Sequence, residues 1–224
     1  MRASSYACAG VILLPQAMCA KLSSQKKDLP KMLSHFSVSE NDLRKVMTVA
    51  LEKGGDYADL YFQHSFSNSL VLEDGAVNRA SSNIDYGVGI RVVSGDQQGY
   101  AFDENITLEE MIKAARVASR ISNDSAKTPP VNTDEKVFKN YYPILNSWED
   151  KAIQEKMPYL QSLNDRLFAL DPRVIKVNAS ISDETSYILY YNSEGELCHD
   201  VRPMVQVRTT CVMQDGARIE NGSA

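Results

Sequence analysis

Apolar residues recur along this chain with two periods, about 3.6 in three stretches and 2 in most of the rest. Leu43, Val46, Met47, Ala50 and Leu51 form one stripe, which predicts an amphipathic helix beginning at Ser39. Ser39 serves as its cap, with Asp42 at the third position in place of the usual Glu, and Gly54-Gly55 ends it. A second stripe, Met111, Ile112, Ala115 and Ala118, follows the capping box Thr107-Leu-Glu-Glu110 and is small enough to pack closely on a sheet. A third helix is predicted from Trp148 to Leu170, capped by Ser147 with Asp150 at the third position. Pro158 should kink it or divide it in two, and Asp171-Pro172 stops it.

The remaining apolar positions alternate, as strands require. Half-buried strands are predicted at Tyr57 to Gln63, Ser69 to Glu73 and Ala76 to Ala80, with a turn at Asp74-Gly75. Ser81 to Asp103 then reads as a hairpin through Ser94-Gly95-Asp96. Its strand of Val88, Ile90 and Val92 among Gly87, Gly89, Arg91 and Val93 is apolar enough to be the centre of the first sheet. After the third helix come strands at Val174 to Ser182, Ser186 to Tyr191, Leu197 to Val201, Met204 to Met213 and Ala217 to Glu220. Turns fall at Asp183-Glu184, Asn192 to Gly195 and Asp215-Gly216. Helix followed by meander thus occurs twice. This predicts an α+β fold of antiparallel meander sheets with helices packed on one face, in two successive units, 39–121 and 147–224. The stretch 122–146, with Pro129-Pro130, Tyr141-Tyr142-Pro143 and several Asp, Asn, Thr and Lys, is an irregular connection between them.

The start of the chain is different. Residues 1–20 carry one charge, a short apolar run and then small residues, the outline of an export signal with a cleavage point near Ala20; a non-native start is the alternative. Residues 21–38 read as a polar leader. No other segment approaches the roughly 20 apolar residues of a membrane-spanning helix. A formal net charge of −5 over 224 residues, with 24% charged, argues against a phosphate-neutralising nucleic-acid binder. Cys8 and Cys19 belong to the signal, while Cys198 and Cys211 fall in strands, and spacing alone leaves open whether they pair.

Candidate chemistry is sparse. His35, His64 and His199 include no pair at metalloprotease spacing on a helix, and Cys198-His199, adjacent in a strand, point to opposite faces. His64, at a strand end, reads as a surface residue. Gly87-Val-Gly89 lacks the third glycine of a dinucleotide fingerprint. The carboxylates of Glu73-Asp74, Asp103-Glu104 and Glu109-Glu110 lie at turns and a helix start, where structural roles explain them. Arg91, within the most apolar strand, needs a partner such as Asp85 or Asp59, and a structural ion pair is favoured over a substrate contact. Arg202 invites the same reading beside Pro203, which marks a bulge or sheet edge.

Five stretches, Gly-Asp-Tyr-Ala-Asp-Leu-Tyr-Phe-Gln (55–63), Leu-Glu-Asp-Gly (72–75), Asn-Ile-Asp-Tyr-Gly-Val-Gly-Ile-Arg (83–91), Ser-Gly-Asp-Gln-Gln-Gly-Tyr-Ala (94–101) and Asp-Val-Arg-Pro (200–203), resemble the amino-terminal region of the TldD/PmbA metallopeptidases. The resemblance runs from about Ser39 to the end. It implies a zinc-dependent peptidase, a homodimer or a heterodimer with a paralogue, that digests unfolded or modified peptides in an enclosed cavity, mostly in the cytosol. In that family a His-Glu-x-x-x-His helix and a later Cys hold the metal, in a carboxy-terminal domain. None of these ligands carries over to a residue here, so the expected catalytic and metal residues of this chain are none. The resemblance implies a substrate-guiding and assembly module that by itself binds no stoichiometric zinc and cleaves nothing, with Asp85, Arg91 and Arg202 as peptide-path or interface positions. The alternative is a non-catalytic partner of a full-length paralogue. An independent hydrolase built on His64 or His199 is disfavoured, because no nucleophile, base and orienting group come together.

Overall fold

Local signals set the helix starts. In the computed structural model, which describes residues 28–130, 132–137 and 143–224, Ser39 caps helix α2 (Glu40–Ala50) and Asp42 returns the bond to the Ser39 backbone. Thr107 caps α3 (Leu108–Ala118) by accepting from the Glu110 N–H. Their apolar stripes, Leu43, Val46, Met47 and Ala50, then Met111, Ala114, Ala115 and Ala118, are buried. A further helix, α1 (Leu29–His35), lies inside the predicted polar leader and buries Leu29 and Met32. With only two core-facing residues it carries too weak a period to be seen. The predicted export signal, residues 21–27 of the leader and Tyr141-Tyr142 lie outside the described residues.

Helix α4 spans Ile153–Leu170 rather than starting at Trp148, and it runs through Pro158 without dividing. Its N-terminal bond comes from Ala152, whose N–H donates to Glu155 at 3.2 Å. Ser147 instead accepts from the Glu149 N–H in the preceding turn.

Among the described residues seven strands make one sheet: β1 (Tyr57–Glu73), β2 (Ala76–Ser94), β3 (Gln97–Asp103), β4 (Asp134–Glu135), β5 (Val174–Asn192), β6 (Glu196–Asp215) and β7 (Arg218–Ser223). The order is β3-β2-β1-β5-β6, and β4 and β7 both pair with the outer edge of β6. All neighbours are antiparallel except β4 with β6. The centre is therefore β1 and β5, not the hairpin of β2 and β3, whose second strand is an edge. Asp74 and Gly75, both at positive φ, close the β1–β2 hairpin as that turn type demands.

Four long strands replace the shorter ones predicted. The expected breaks at 64–68 in β1, 80–81 in β2, 183–184 in β5 and 202–203 in β6 fall on one transverse band of the sheet, where Ser82, Asn68, Asp183 and Val205 stand side by side. The physical reason is a gap between two cores on one face. Helices α1, α2 and α3 pack on Ala58, Leu60, Phe62, Val88, Ile90, Leu189 and Tyr191 at one end. At the other, α4 inserts Leu160 against Leu70, Leu72, Ala179 and Ile181. Between the cores the strands continue with polar side chains, which imitate turn signals. Alternation places every one of these core residues on the same face, so the helices are packed on one side as predicted.

Candidate functional site

The other face of the sheet carries the odd-numbered residues of β1, and none of the four described helices packs on it. Asp85, Arg91 and Arg202 all project there. Arg91 donates from both Nε and Nη2 to Asp59, Nε at 3.0 Å, and Asp59 is 5% exposed, so the structural ion pair is made with Asp59 and not Asp85. Six residues separate Asp85 from Arg91 along β2, roughly 20 Å. Asp85 instead belongs to a row with Ser65, Ser186 and Arg202, one from each of β2, β1, β5 and β6. Arg202 is tied to Asp200 at 2.8 Å. Pro203 sits in regular register opposite Thr185, with no bulge.

Within that row a chain of hydroxyls has a fixed direction. Ser186 Oγ donates to Glu184 at 2.8 Å, which uses its only proton; Ser65 Oγ, 2.7 Å away, must therefore donate to Ser186, and Gln63 Nε2 donates to Ser65. Register places His35's partner His64, and His199, on the opposite face, so no imidazole can take a proton from either serine. Ser65 and Ser186 are thus ordering groups rather than nucleophiles. Beside them Tyr100 and Phe102, 59% and 56% exposed, lie across Gly89 and Gly87. A Cβ on those glycines would come within 2.5 Å of Tyr100 Oη and 2.6 Å of the Phe102 ring. A polar trough of about 250 Å³ continues the face between Ser67, Ser81, Ser182 and Glu184.

On the helical face, the gap between the cores holds two polar clusters, one buried and one half-buried. Lys156 Nζ donates to Asp183 at 2.6 Å, both side chains being under 5% exposed, and Asn68 Nδ2 donates to the second Asp183 oxygen at 3.0 Å. His35 Nε2 and His64 Nδ1 share a hydrogen bond of 2.9 Å, His35 stacks on Tyr187, and the Tyr187 hydroxyl donates to Glu149 at 3.0 Å. Burial lowers the pKa of both imidazoles, against a smaller upward pull from Glu149. Burial, with the bond to Glu149, pushes the Tyr187 hydroxyl up to about 12. His64 is therefore not a surface residue. Its partner is 29 residues away on an unpredicted helix, and no sequence spacing announces the pair.

The outer edge of β6 is partly open. Thr209 exchanges both backbone bonds with Ala224, and Leu197 accepts from Lys136, so odd-numbered residues of β6 point their backbone outward. Between these contacts His199, Val201, Val205 and Val207 offer outward N–H and C=O groups that no strand among the described residues pairs. The missing N–H of Pro203 falls on the same outward side, where it costs no sheet bond. Alongside runs a groove of about 770 Å³ between Ile144–Trp148, Tyr159 of α4 and Pro203–Val205.

Two family models match the chain, PmbA/TldA metallopeptidase domain 1 over residues 58–122 and the PmbA/TldA metallopeptidase central domain over 146–224. The chain belongs to the PmbA/TldD metallopeptidase family. It is 30% identical over 196 residues to a Metalloprotease TldD homolog of Haemophilus influenzae, covering 86% of this chain and 40% of that protein. Metalloprotease MJ0996 of Methanocaldococcus jannaschii is 23% identical over 174 residues, 75% of this chain and 38% of its own. The fold is shared with Thermotoga maritima TM0727 (TM-score 0.61, 17% identity, 82% of this chain and 42% of that one) and with TldE of Thermococcus kodakarensis (TM-score 0.53, 17% identity, 81% and 42%). The chain spans about 40% of the length of the curated relatives it matches.

The metal that the family name implies does not fit the residues here. Among the described residues no group of three or more His, Cys, Asp or Glu side chains could hold an ion. His35 and His64 spend facing nitrogens on each other, and Cys198 and His199 point to opposite faces of β6. Cys198 and Cys211 are both free and lie on this one strand, roughly 40 Å apart and on opposite faces, which excludes the disulfide left open by spacing. No described helix is long and apolar enough to cross a membrane.

Proposed function

We propose that these residues form the polypeptide-holding and assembly part of a TldD/PmbA-type metallopeptidase, acting on unfolded or modified peptides, with zinc and its ligands supplied by other parts of a full-length family member. The observation that carries this reading is the stretch of β6 from His199 to Val207 whose outward backbone groups no described strand pairs. An extended polypeptide laid along His199 to Val207 would exchange backbone hydrogen bonds with Val205 and Val207 whatever its sequence, as a protease of unfolded chains needs. Asp85, Arg91 and Arg202 then serve as interface or path residues on the neighbouring face, Arg91 through its pair with Asp59. Assembly is with a second copy or a family paralogue, and a purely non-catalytic partner of such a paralogue is the second reading.

A fluorescently labelled, reduced and denatured polypeptide tests it. The chain should bind the probe, and Val205→Pro or Val207→Pro, each removing one outward N–H, should weaken binding several-fold while the far-ultraviolet circular dichroism stays the same. No binding by the unaltered chain would overturn the holding role.

A further inference from the structure

A second open edge lies on the opposite side of the sheet. Ala58 exchanges bonds with Ser193 beyond β5, and Val93 accepts from Asp56, so odd-numbered residues of β2 face β1 and even-numbered ones face outward. Outward groups are satisfied by β3 only as far as Val88, which stands opposite Asp103. Ala80, Ser82, Ile84 and Tyr86 therefore present N–H and C=O groups to an edge that no described strand covers. Every residue from Ala76 to Asp85 is exposed, including Ile84 at 62%. Such edges are ordinarily blunted by Lys, Pro, inward charges or bulges. Between Ala76 and Gly87 there is no Lys or Pro, the bulge at Asn78 lies at the hairpin tip, and the only charged residues are Arg79 and Asp85.

Those two charges are opposite in sign and lie six residues apart on one strand. Both project to the helix-free face, and neither has an ion-pair partner among the described residues; Asp85 accepts only from Asn83, at 2.9 Å. We propose that this edge docks the β2 strand of a second copy, antiparallel about a two-fold axis at Ser82, so that Arg79 of each copy faces Asp85 of the other. In that register Ser82 meets Ser82, and Ala80 meets Ile84 on both sides of the axis. Each of these opposed pairs exchanges two backbone bonds through the outward groups. Arg79 and Asp85 fall at the closer, non-hydrogen-bonded positions, where opposed side chains interact most. Shifting the axis by one residue either way sets Arg79 against Asn83 or Gly87 and loses both pairs. Ile84 is covered by Ala80 of the other copy. The extra residue Asn78, a bulge between the Val71/Arg79 and Leu72/Val77 pairs, bends the hairpin tip at the point where it would otherwise run into Asp103 at the end of the other copy's β3. The interface is isologous, and it deepens the assembly part of the reading above, on which it rests.

Sedimentation equilibrium of the 224-residue chain tests the register. The unaltered chain should dimerise. Arg79→Asp alone and Asp85→Arg alone each set like charges against each other twice and should weaken the dimer at least about tenfold. An equal mixture of the two variants should restore it, because each mixed pair then joins opposite charges; a misfolded variant could not be rescued in this way. Variants that dimerise like the parent, or a mixture that stays monomeric, would overturn the β2 register and leave pairing through another surface standing. A parent chain that sediments as a monomer throughout would overturn self-pairing itself.

Discussion

Replacing Lys156 by Met should break the junction that holds α4 across the gap between the two cores. The ammonium is 2% exposed and its partner Asp183 4%, and the bond between them is 2.6 Å. With the charge gone, Asp183 keeps one hydrogen bond, from Asn68 at 3.0 Å, and its carboxyl loses the partner that offset its burial. Removing one partner of a buried pair costs about 3–5 kcal/mol, most of it the penalty on the orphaned charge. Lys156→Met combined with Asp183→Leu should restore most of the loss, to within about 1 kcal/mol, since two apolar groups of similar volume need no pairing. Urea unfolding followed by tryptophan fluorescence suits the test: Trp148 is the only tryptophan, and the Lys156 ammonium lies 5.9 Å from its ring. A single variant that loses less than about 1 kcal/mol, or a double variant no more stable than the single one, would refute the reasoning.

The His35–His64 pair makes stability depend on pH. Both imidazoles have lowered pKa values, chiefly from burial, so below about pH 6.5 the unfolded chain binds more protons than the folded one. Their contribution is intact above that pH and is lost as pH falls toward the lowered folded values. One proton leaves the shared bond in place, whereas a second sets two cations 2.9 Å apart. Melting temperatures between pH 7.5 and 5 should fall less steeply for His64→Gln than for the parent, and equal slopes would remove the pair from the account. Gly99→Ala should destabilise by about 1–3 kcal/mol in urea, because the new methyl would lie 2.1 Å from the Ala118 carbonyl oxygen and force α3 off the sheet; a neutral result would mean that α3 does not pack this closely. Pro203→Ala should change the urea midpoint by no more than about 0.5 kcal/mol, since the proline nitrogen faces the open edge of β6. A larger loss would show that Pro203 is stabilising in a way the edge geometry does not explain.

Sequence alone determined the features that depend on neighbours along the chain. Ser39 with Asp42, Thr107 with Glu110, Asp74-Gly75, the alternation through Val88, Ile90 and Val92 and the apolar helix stripes each act within a few residues, so helices, hairpins and the α+β class were legible, as was the family resemblance. Tertiary structure decided what depends on distance. The mostly polar stretches 64–68, 80–81, 183–184 and 202–203 read locally as turns, and only their alignment across four strands shows them to be one band between two cores. Arg91, as a charge within an apolar strand, called for a carboxylate partner, but register chose Asp59 over Asp85. Lys156 with Asp183, and His35 with His64, are pairs 27 and 29 residues apart whose members look like ordinary surface residues until the packing of helices on the sheet brings them together. Which edges stay open was likewise undecidable locally, because a strand's free hydrogen-bonding side is defined by where its neighbours end.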